Sequence, residues 1–201
     1  MSPKHIPIEE LKKDMVIQAT IFQTPLFFHT TWGLFSPEKI DEGTLALLSE
    51  INLSGEETVL DIGCGYGPIA IAIAKRTNGA VHAVDKDFVA VEYTNKNANV
   101  NCTTNVRSYL SNGFSHVPKD MKFNLIVSNL PAKVSKEFFW ILFSEVKDRL
   151  APGGKFVVVT IAGLEFFIKK NFESIFGNYK LLKNSQGYFV ALAEKKEDNL
   201  I

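Results

Sequence analysis

Cysteine is nearly absent. The 201-residue chain has two, Cys64 and Cys102. That is too few for a disulfide framework, and neither stands in a CxxC or Cys/His spacing that would hold zinc. The four histidines, His5, His29, His82 and His116, are scattered, so no metal is expected. An excess of charge is missing too, with 22 basic residues against 22 acidic ones. This balance excludes whole-molecule attraction to a polyanion while leaving room for a local basic patch. No apolar run is long enough to span a bilayer. The opening MSPKHIPIEELKKD lacks the apolar core of a signal peptide. Repeats and low-complexity segments are also wanting. Together these absences set an expectation of a reduced, cytoplasmic protein with no membrane partner.

What is present is a composition 46% hydrophobic, enough for one sizeable core. Residues 16–23 (VIQATIFQ) read as a strand, punctuated by Thr24-Pro25, with residues 26–30 pairing back as a hairpin. Residues 40–51 read as a helix with Leu45, Leu47 and Leu48 on one side. Strand and helix then alternate: strands over 58–62, 80–84, 106–110, 123–128 and 155–161, helices over 68–76, 88–100, 135–150 and 164–175. Asp87 suits the N-cap of the second of these helices, and Ala151-Pro152-Gly153-Gly154 is expected to stop the third. Residues 179–182 and 188–193 read as a closing antiparallel pair, and the EKKEDNLI tail as a solvated end. Such alternation argues for a doubly wound, mostly parallel α/β sheet. Ligands in such sheets sit at the carboxyl ends of the strands.

The strand ends carry the chemistry. The first central strand ends VLDIGCGYG, with Asp61, Gly63, Gly65 and Gly67 at alternate positions before a helix. Glycines there let the backbone approach a ligand closely. A dinucleotide-type GxGxxG would need glycine where Pro68 stands, and the carboxylate of Asp61 would repel a pyrophosphate. Asp61 suits a ligand with an ammonium group. The next strand ends AVHAVD, and Asp85 can accept from both hydroxyls of a ribose. The third ends SYLSNGF, where Asn112 can read the edge of a base, although Ser-Asn-Gly is also an ordinary turn. A nucleoside with a cationic amino-acid arm and no phosphates fits these ends, and S-adenosyl-L-methionine (SAM) meets that description.

The fourth strand ends IVSNLPAKV. Asn129 stands where it would face the sulfonium methyl. An exocyclic amino group is a poor nucleophile because its lone pair is delocalised. Two acceptors gripping its two hydrogens, the Asn129 side-chain oxygen and the Leu130 carbonyl, can aim that lone pair. Pro131 biases Leu130 to an extended conformation. Catalysis would then be positioning by preorganised acceptors.

These motifs resemble the small-domain (MTS) class I SAM-dependent methyltransferases. The family's DxGCGxG loop is matched by Asp61–Gly67, its SN-x-F strand end by Ser111, Asn112 and Phe114, and its GVFS…D-x-G-(T/S) segment by Gly33–Thr44, which in the family covers the SAM pocket. The resemblance spans about residue 27 onward. It implies a Rossmann-like seven-stranded sheet with its last strand pair antiparallel, residues 1–42 as an N-terminal hairpin and helix extension, and residues 43–201 as the methyltransferase domain. It implies SAM held by Asp61, Gly63, Cys64, Gly65, Gly67, Asp85, Lys86, Asn112, Gly113 and Asn129, with Asn129, Leu130 and Pro131 at the reaction. The expected activity is N-methylation of an exocyclic amino group of RNA, guanine N2 of ribosomal RNA first. A protein glutamine amide is an alternative substrate, and a non-catalytic SAM- or RNA-binding module an alternative role. A homodimer or a preassembled ribosomal particle would help a chain of this length grip RNA.

The chain departs from the family at one place. The family pattern Asn-Pro-Pro followed by Tyr, Phe, His or Ile is here Asn129-Leu130-Pro131-Ala132. The main-chain acceptor survives, but position 132 loses the ring on which a flipped base stacks. Either another ring (Phe27, Phe28, Trp32 or Phe35) substitutes, or the substrate is atypical. Elsewhere, Phe138, Ile141 and Leu142 are expected to pack on the sheet and Trp140 to be exposed. Lys133 and Lys136, with Lys169, Lys170, Lys180 and Lys183, are candidate phosphate contacts or simply solvated. Cys64 reads as a small residue beside the cofactor.

Overall fold

The computed structural model of the chain describes residues 7–11, 13–185 and 187–196; most of the expected solvated tail lies outside them. A short helix, Ile8–Leu11 (α1), precedes Met15–Ile21 (β1) and Thr24–Thr30 (β2), which pair antiparallel as a separate hairpin. The turn is not at Thr24-Pro25. Phe22 and Gln23 make it, with φ of 51° and 63°, the left-handed pair that a two-residue hairpin loop demands. Neither is the glycine or asparagine that usually announces such a turn. The Arg76 guanidinium sits 5.3 Å from the Phe22 ring centroid and holds it in place. Pro25 lies inside β2 opposite Thr20, tolerated because both strands of a lone hairpin are edges.

Asp41 then caps Glu42–Glu50 (α2). The alternating region follows: Val59–Ile62 (β3), Pro68–Ala74 (α3), Val81–Asp85 (β4), Phe88–Val100 (α4), Val106–Leu110 (β5), Phe123–Asn129 (β6), Lys136–Arg149 (α5), Leu150–Ile161 (β7), Glu165–Phe176 (α6), Lys180–Ser185 (β8) and Tyr188–Glu194 (β9). One seven-stranded sheet results, in the order β5-β4-β3-β6-β7-β9-β8. β3 pairs parallel with β4 and β6, and the parallel run extends to β5 and β7; β9 is antiparallel to both β7 and β8. The expected doubly wound, mostly parallel sheet with a closing antiparallel pair is therefore present. Its order places the ends of β3, β4 and β6 side by side.

Helix α5 ends at Arg149, just ahead of the Ala151–Gly154 stretch expected to stop it, but that stretch is already part of β7. β7 starts at Leu150 opposite Phe123, makes an excursion, and resumes with Lys155 opposite Leu125. Gly154 is needed there: a Cβ would come within 2.8 Å of the Ala151 carbonyl oxygen and 2.9 Å of that of Phe123.

Each face of the sheet buries its own core. The hairpin, α2, α3 and α4 cover one face with residues such as Phe28, Leu47, Ile71 and Val127. α5 and α6 cover the other, where Phe139, Phe143, Phe156 and Phe172 pack ring against ring. Strands covered on both faces read as continuous apolar runs. The register of α5 differs from expectation. Phe139, Leu142, Phe143 and Val146 are buried, whereas Phe138 and Ile141 are exposed. Leu45 of α2 is likewise exposed while Leu47 and Leu48 are buried. An unbroken apolar run such as Phe138–Phe143 does not say by periodicity alone which stripe faces inward.

Candidate functional site

The ends of β3, β4, β6 and β7 surround a cavity of about 630 Å³. A second hollow of about 440 Å³ adjoins it, sharing Gly63, Asp85, Lys86, Asn129, Leu130 and Pro131. The loop from β3 to α3 forms one wall. Gly63 and Gly65 have φ of 76° and 56°, and a Cβ on either would meet nothing within 4 Å. Their glycines serve a left-handed turn beside open space. Gly67 differs: at φ 92° it abuts Thr94, which a Cβ would approach to 3.0 Å. It fixes the packing of the loop on α4 and does not line either hollow.

Asp61 is not brought to the wall. Its carboxylate is fully buried beneath the loop. Oδ2 accepts from the Ala70 N–H at 3.1 Å and so caps α3, while Oδ1 has no hydrogen-bond partner among the described residues. Burial pushes its pKa up to about 7, against the pull of the Ala70 hydrogen bond and with added repulsion from Asp85. Cys64 lines the larger cavity, and its buried thiol receives the Thr94 hydroxyl at 3.5 Å. Burial first, and then the charge of Asp61, push that thiol's pKa far up. It is a neutral packing group, not a nucleophile.

Asp85 ends β4 and lines both hollows. Its two oxygens each accept one backbone N–H, from Gly65 and from Asp87, at 3.0 Å. An ionised carboxylate has about four lone-pair sites, so the group is oriented by the loop and keeps capacity for a ligand's hydroxyls. Exposed Lys86 lies beside it on both walls. Past β5, Ser111 Oγ donates to the Gly113 carbonyl at 2.8 Å and shapes a turn that leaves Asn112 exposed on the smaller hollow. Gly113, at φ 57°, is part of that turn and not of the wall.

Asn129 is the last residue of β6, beside β3. Its Nδ2 donates to Asp41 Oδ2 at 2.9 Å and to Thr44 Oγ1 at 3.1 Å. A carboxylate only accepts, so this pair settles which end of the carboxamide is nitrogen. Oδ1 is the end left over, and among the described residues it accepts no hydrogen bond. Asp41 is itself held three ways: it also accepts from the Thr44 N–H at 3.0 Å and from the Tyr188 hydroxyl at 3.2 Å. The Asp41 charge, then burial, raise the pKa of Tyr188 and keep it a donor. Gly43 makes room for the assembly, because a Cβ would come within 2.8 Å of Asp41 Oδ2 and 3.0 Å of the Tyr188 ring. The Leu130 N–H donates to the Val159 carbonyl at 2.8 Å, carrying the β6–β7 ladder one residue past Asn129 and fixing the main chain there.

Of the four candidate rings, Phe28 is fully buried against Tyr66, and Phe27 and Trp32 line neither hollow. Phe35 lines the larger cavity. Lys133 is on the same wall, with Lys136 at the start of α5. Lys169 pairs with Glu173 at 4.0 Å and Lys183 with Glu50 at 3.6 Å, so neither of these is uncommitted.

Asp41 and Thr44 belong to the D-x-G-(T/S) stretch, which names no role for either, and Tyr188 belongs to no motif. The further signal in that stretch is Gly43, a glycine in the first turn of α2 for which local propensity gives no reason.

The model of a family described as Methyltransferase small domain matches residues 25–192. A Bacillus subtilis (strain 168) protein, "Uncharacterized protein YbxB", is 31% identical over 172 residues, covering 84% of this chain and 85% of its own. The ribosomal RNA large subunit methyltransferase G of Shewanella amazonensis is 28% identical, over 82% of this chain and 44% of that protein. Among solved structures, the T. thermophilus 16S rRNA N2-guanine methyltransferase RsmC, in complex with AdoMet and guanosine, superposes with a TM-score of 0.84 at 26% identity, over 91% of this chain and 51% of that one. The chain thus spans about half the length of these two named ribosomal RNA enzymes.

Proposed function

Because the chain belongs to the methyltransferase small-domain family of SAM-dependent enzymes, we propose that it methylates an exocyclic amino nitrogen of RNA, guanine N2 of ribosomal RNA first. One observation carries the reading: the Asn129 carboxamide is tied at its nitrogen to Asp41 and Thr44, leaving the oxygen as an acceptor between the two hollows. The glycine wall, with no Cβ at Gly63 or Gly65, fits close approach of SAM. Asp85, held by the Gly65 and Asp87 N–H groups, presents its remaining lone pairs to the ribose, and exposed Asn112 meets the adenine edge. Asp61 acts from below the loop through its Ala70 hydrogen bond and does not touch the ligand. Bound in this site, SAM supplies an electrophilic sulfonium methyl.

The chain's own work is positioning. Asn129 Oδ1 accepts one hydrogen of the target amino group and the Leu130 carbonyl accepts the other. Gripping both hydrogens withdraws the nitrogen lone pair from the ring and aims it at the methyl carbon. Asp41 keeps the carboxamide from turning over, because a reversed Asn129 would set its oxygen against a carboxylate. Pro131 and the Val159 hydrogen bond hold Leu130 extended. The nitrogen's surplus proton passes to solvent, so no strong base is required.

Incubation with methyl-labelled SAM and ribosomal RNA or ribosomal subunits should place label in N2-methylguanosine. Label confined to protein glutamine, or absent from every cell fraction, would overturn the proposal. Asn129→Ala should retain SAM affinity and lose turnover by a factor on the order of a hundred, whereas Asp85→Ala should lose SAM affinity itself.

A further inference from the structure

Phe35 is 65% exposed, comparable to Phe88 and less than Phe166, but unlike those two it lines the larger cavity. Its loop is not slack. Leu34, the residue before it, is buried in the core and donates its N–H to the Thr31 carbonyl. Ser36, the residue after it, holds φ at 50°, a left-handed conformation rare for a residue with a Cβ. Its hydroxyl reaches the Lys39 carbonyl at 2.6 Å, and the Tyr66 hydroxyl supports the Ser36 and Lys39 carbonyls from below at 3.4 and 3.5 Å. A strained, pinned turn therefore presents an apolar ring to the cavity that also carries Asn129, Leu130, Pro131 and Ala132. Strain of this kind, kept by its surroundings, is a feature of ligand clamps.

We propose that Phe35 is the plate on which the acceptor base stacks, supplying from the N-terminal segment the ring that position 132 lacks. The inference rests on the reading of this site as a base-amino methyltransferase and narrows its substrate to a flipped, planar heteroaromatic base. A base drawn out of its stack needs an apolar face to lie on as well as acceptors for its edge. Asn129 and Leu130 serve the edge; Pro131 and Ala132 offer no aromatic ring, and Tyr66 and Tyr188 on the same wall are tied by their hydroxyls to the Ser36 and Lys39 carbonyls and to Asp41. Phe138 lines the smaller hollow with Asn112, on the side assigned to the adenine, and does not line the larger one.

Three full-length variants test this: Phe35→Ala, Phe35→Leu and Phe35→Trp. Base–aromatic stacking implies a loss of roughly tenfold or more in kcat/KM for RNA in the Ala and Leu variants. SAM affinity should stay within about twofold, and Trp should restore most of the activity. Full activity with Leu would show that bulk alone suffices and would overturn the plate while leaving RNA methylation standing. A second readout needs no turnover. With S-adenosylhomocysteine bound, the Phe35→Trp protein should show fluorescence quenching on titration with guanosine beyond that of the wild type, whose Trp32 and Trp140 report the background. No extra quenching would also overturn the plate. Methylation found only on protein, with the emission of the Phe35→Trp variant unmoved by guanosine, would remove both the plate and the RNA reading.

Discussion

Asp61 is held in its protonated form to about pH 7, mainly because burial disfavours its charge. Unfolded, the same carboxyl ionises near 3.8. A group whose folded pKa is raised stabilises most below its unfolded value, and that contribution is withdrawn as pH climbs through the folded one. Between those values the withdrawal is on the order of 4 kcal/mol. Wild type should therefore lose stability from pH 4 to pH 8 relative to Asp61→Asn, whose amide oxygen can still accept from Ala70. Urea denaturation at both pH values checks this; a stability difference independent of pH would clear Asp61 of the effect. The sequence shows an acid at a strand end but not its depth. In a strand buried on both faces, such as VLDI, alternation gives no inside or outside. Asp85, on a comparable strand, does reach the ligand wall.

At the scale of elements, α4 holds the hairpin with two asparagines one turn apart. Asn97 accepts from the His29 N–H at 2.7 Å and donates to the carbonyls of His29 and Tyr66 at 2.8 and 2.9 Å. Asn101 grips Phe27 in the same two-way fashion at 3.0 and 2.7 Å. The side chains thus act as a third strand along the edge of β2. Asn97→Ala should cost about 3 kcal/mol, from about 1 kcal/mol for each of its three hydrogen bonds to the main chain of His29 and Tyr66. In hydrogen exchange, β1 and β2 should lose protection while β3 and β6 keep theirs; uniform loss would mean the hairpin is not separately anchored. Helix α4 is legible from sequence to the residue, Asp87 cap included. Its partner is not, although the NKNANVN stretch, rich in a poor helix former, hints at work outside the helix. The hairpin turn is missed because Phe22-Gln23 carries none of the usual turn chemistry.

Across the whole molecule, alternating strands and helices fix the sheet's class, and that class says where to look: the ends of β3, β4 and β6. The glycine wall, Asp85 and Asn129 follow from that logic alone. What holds Asn129 does not, because Asp41 and Tyr188 stand 147 residues apart in the chain and meet only in the fold. Tyr188→Phe tests that meeting. It removes one of three donors to Asp41 and should lower kcat by about fivefold, the equivalent of about 1 kcal/mol, with SAM affinity unchanged. An equal loss of affinity, or no loss of rate, would deny Tyr188 a positioning role.

The order in which the clasp's parts are made has a consequence for synthesis. Asp41 and Asn129 leave the ribosome well before Tyr188, which opens the strand paired along β7. A chain made as far as β6 therefore carries the glycine turn, the acid and the carboxamide while the clasp still lacks one hand. The clasp closes only when β9 has been made and laid along β7, so any chain that stops short of Tyr188 leaves Asp41 one donor poorer.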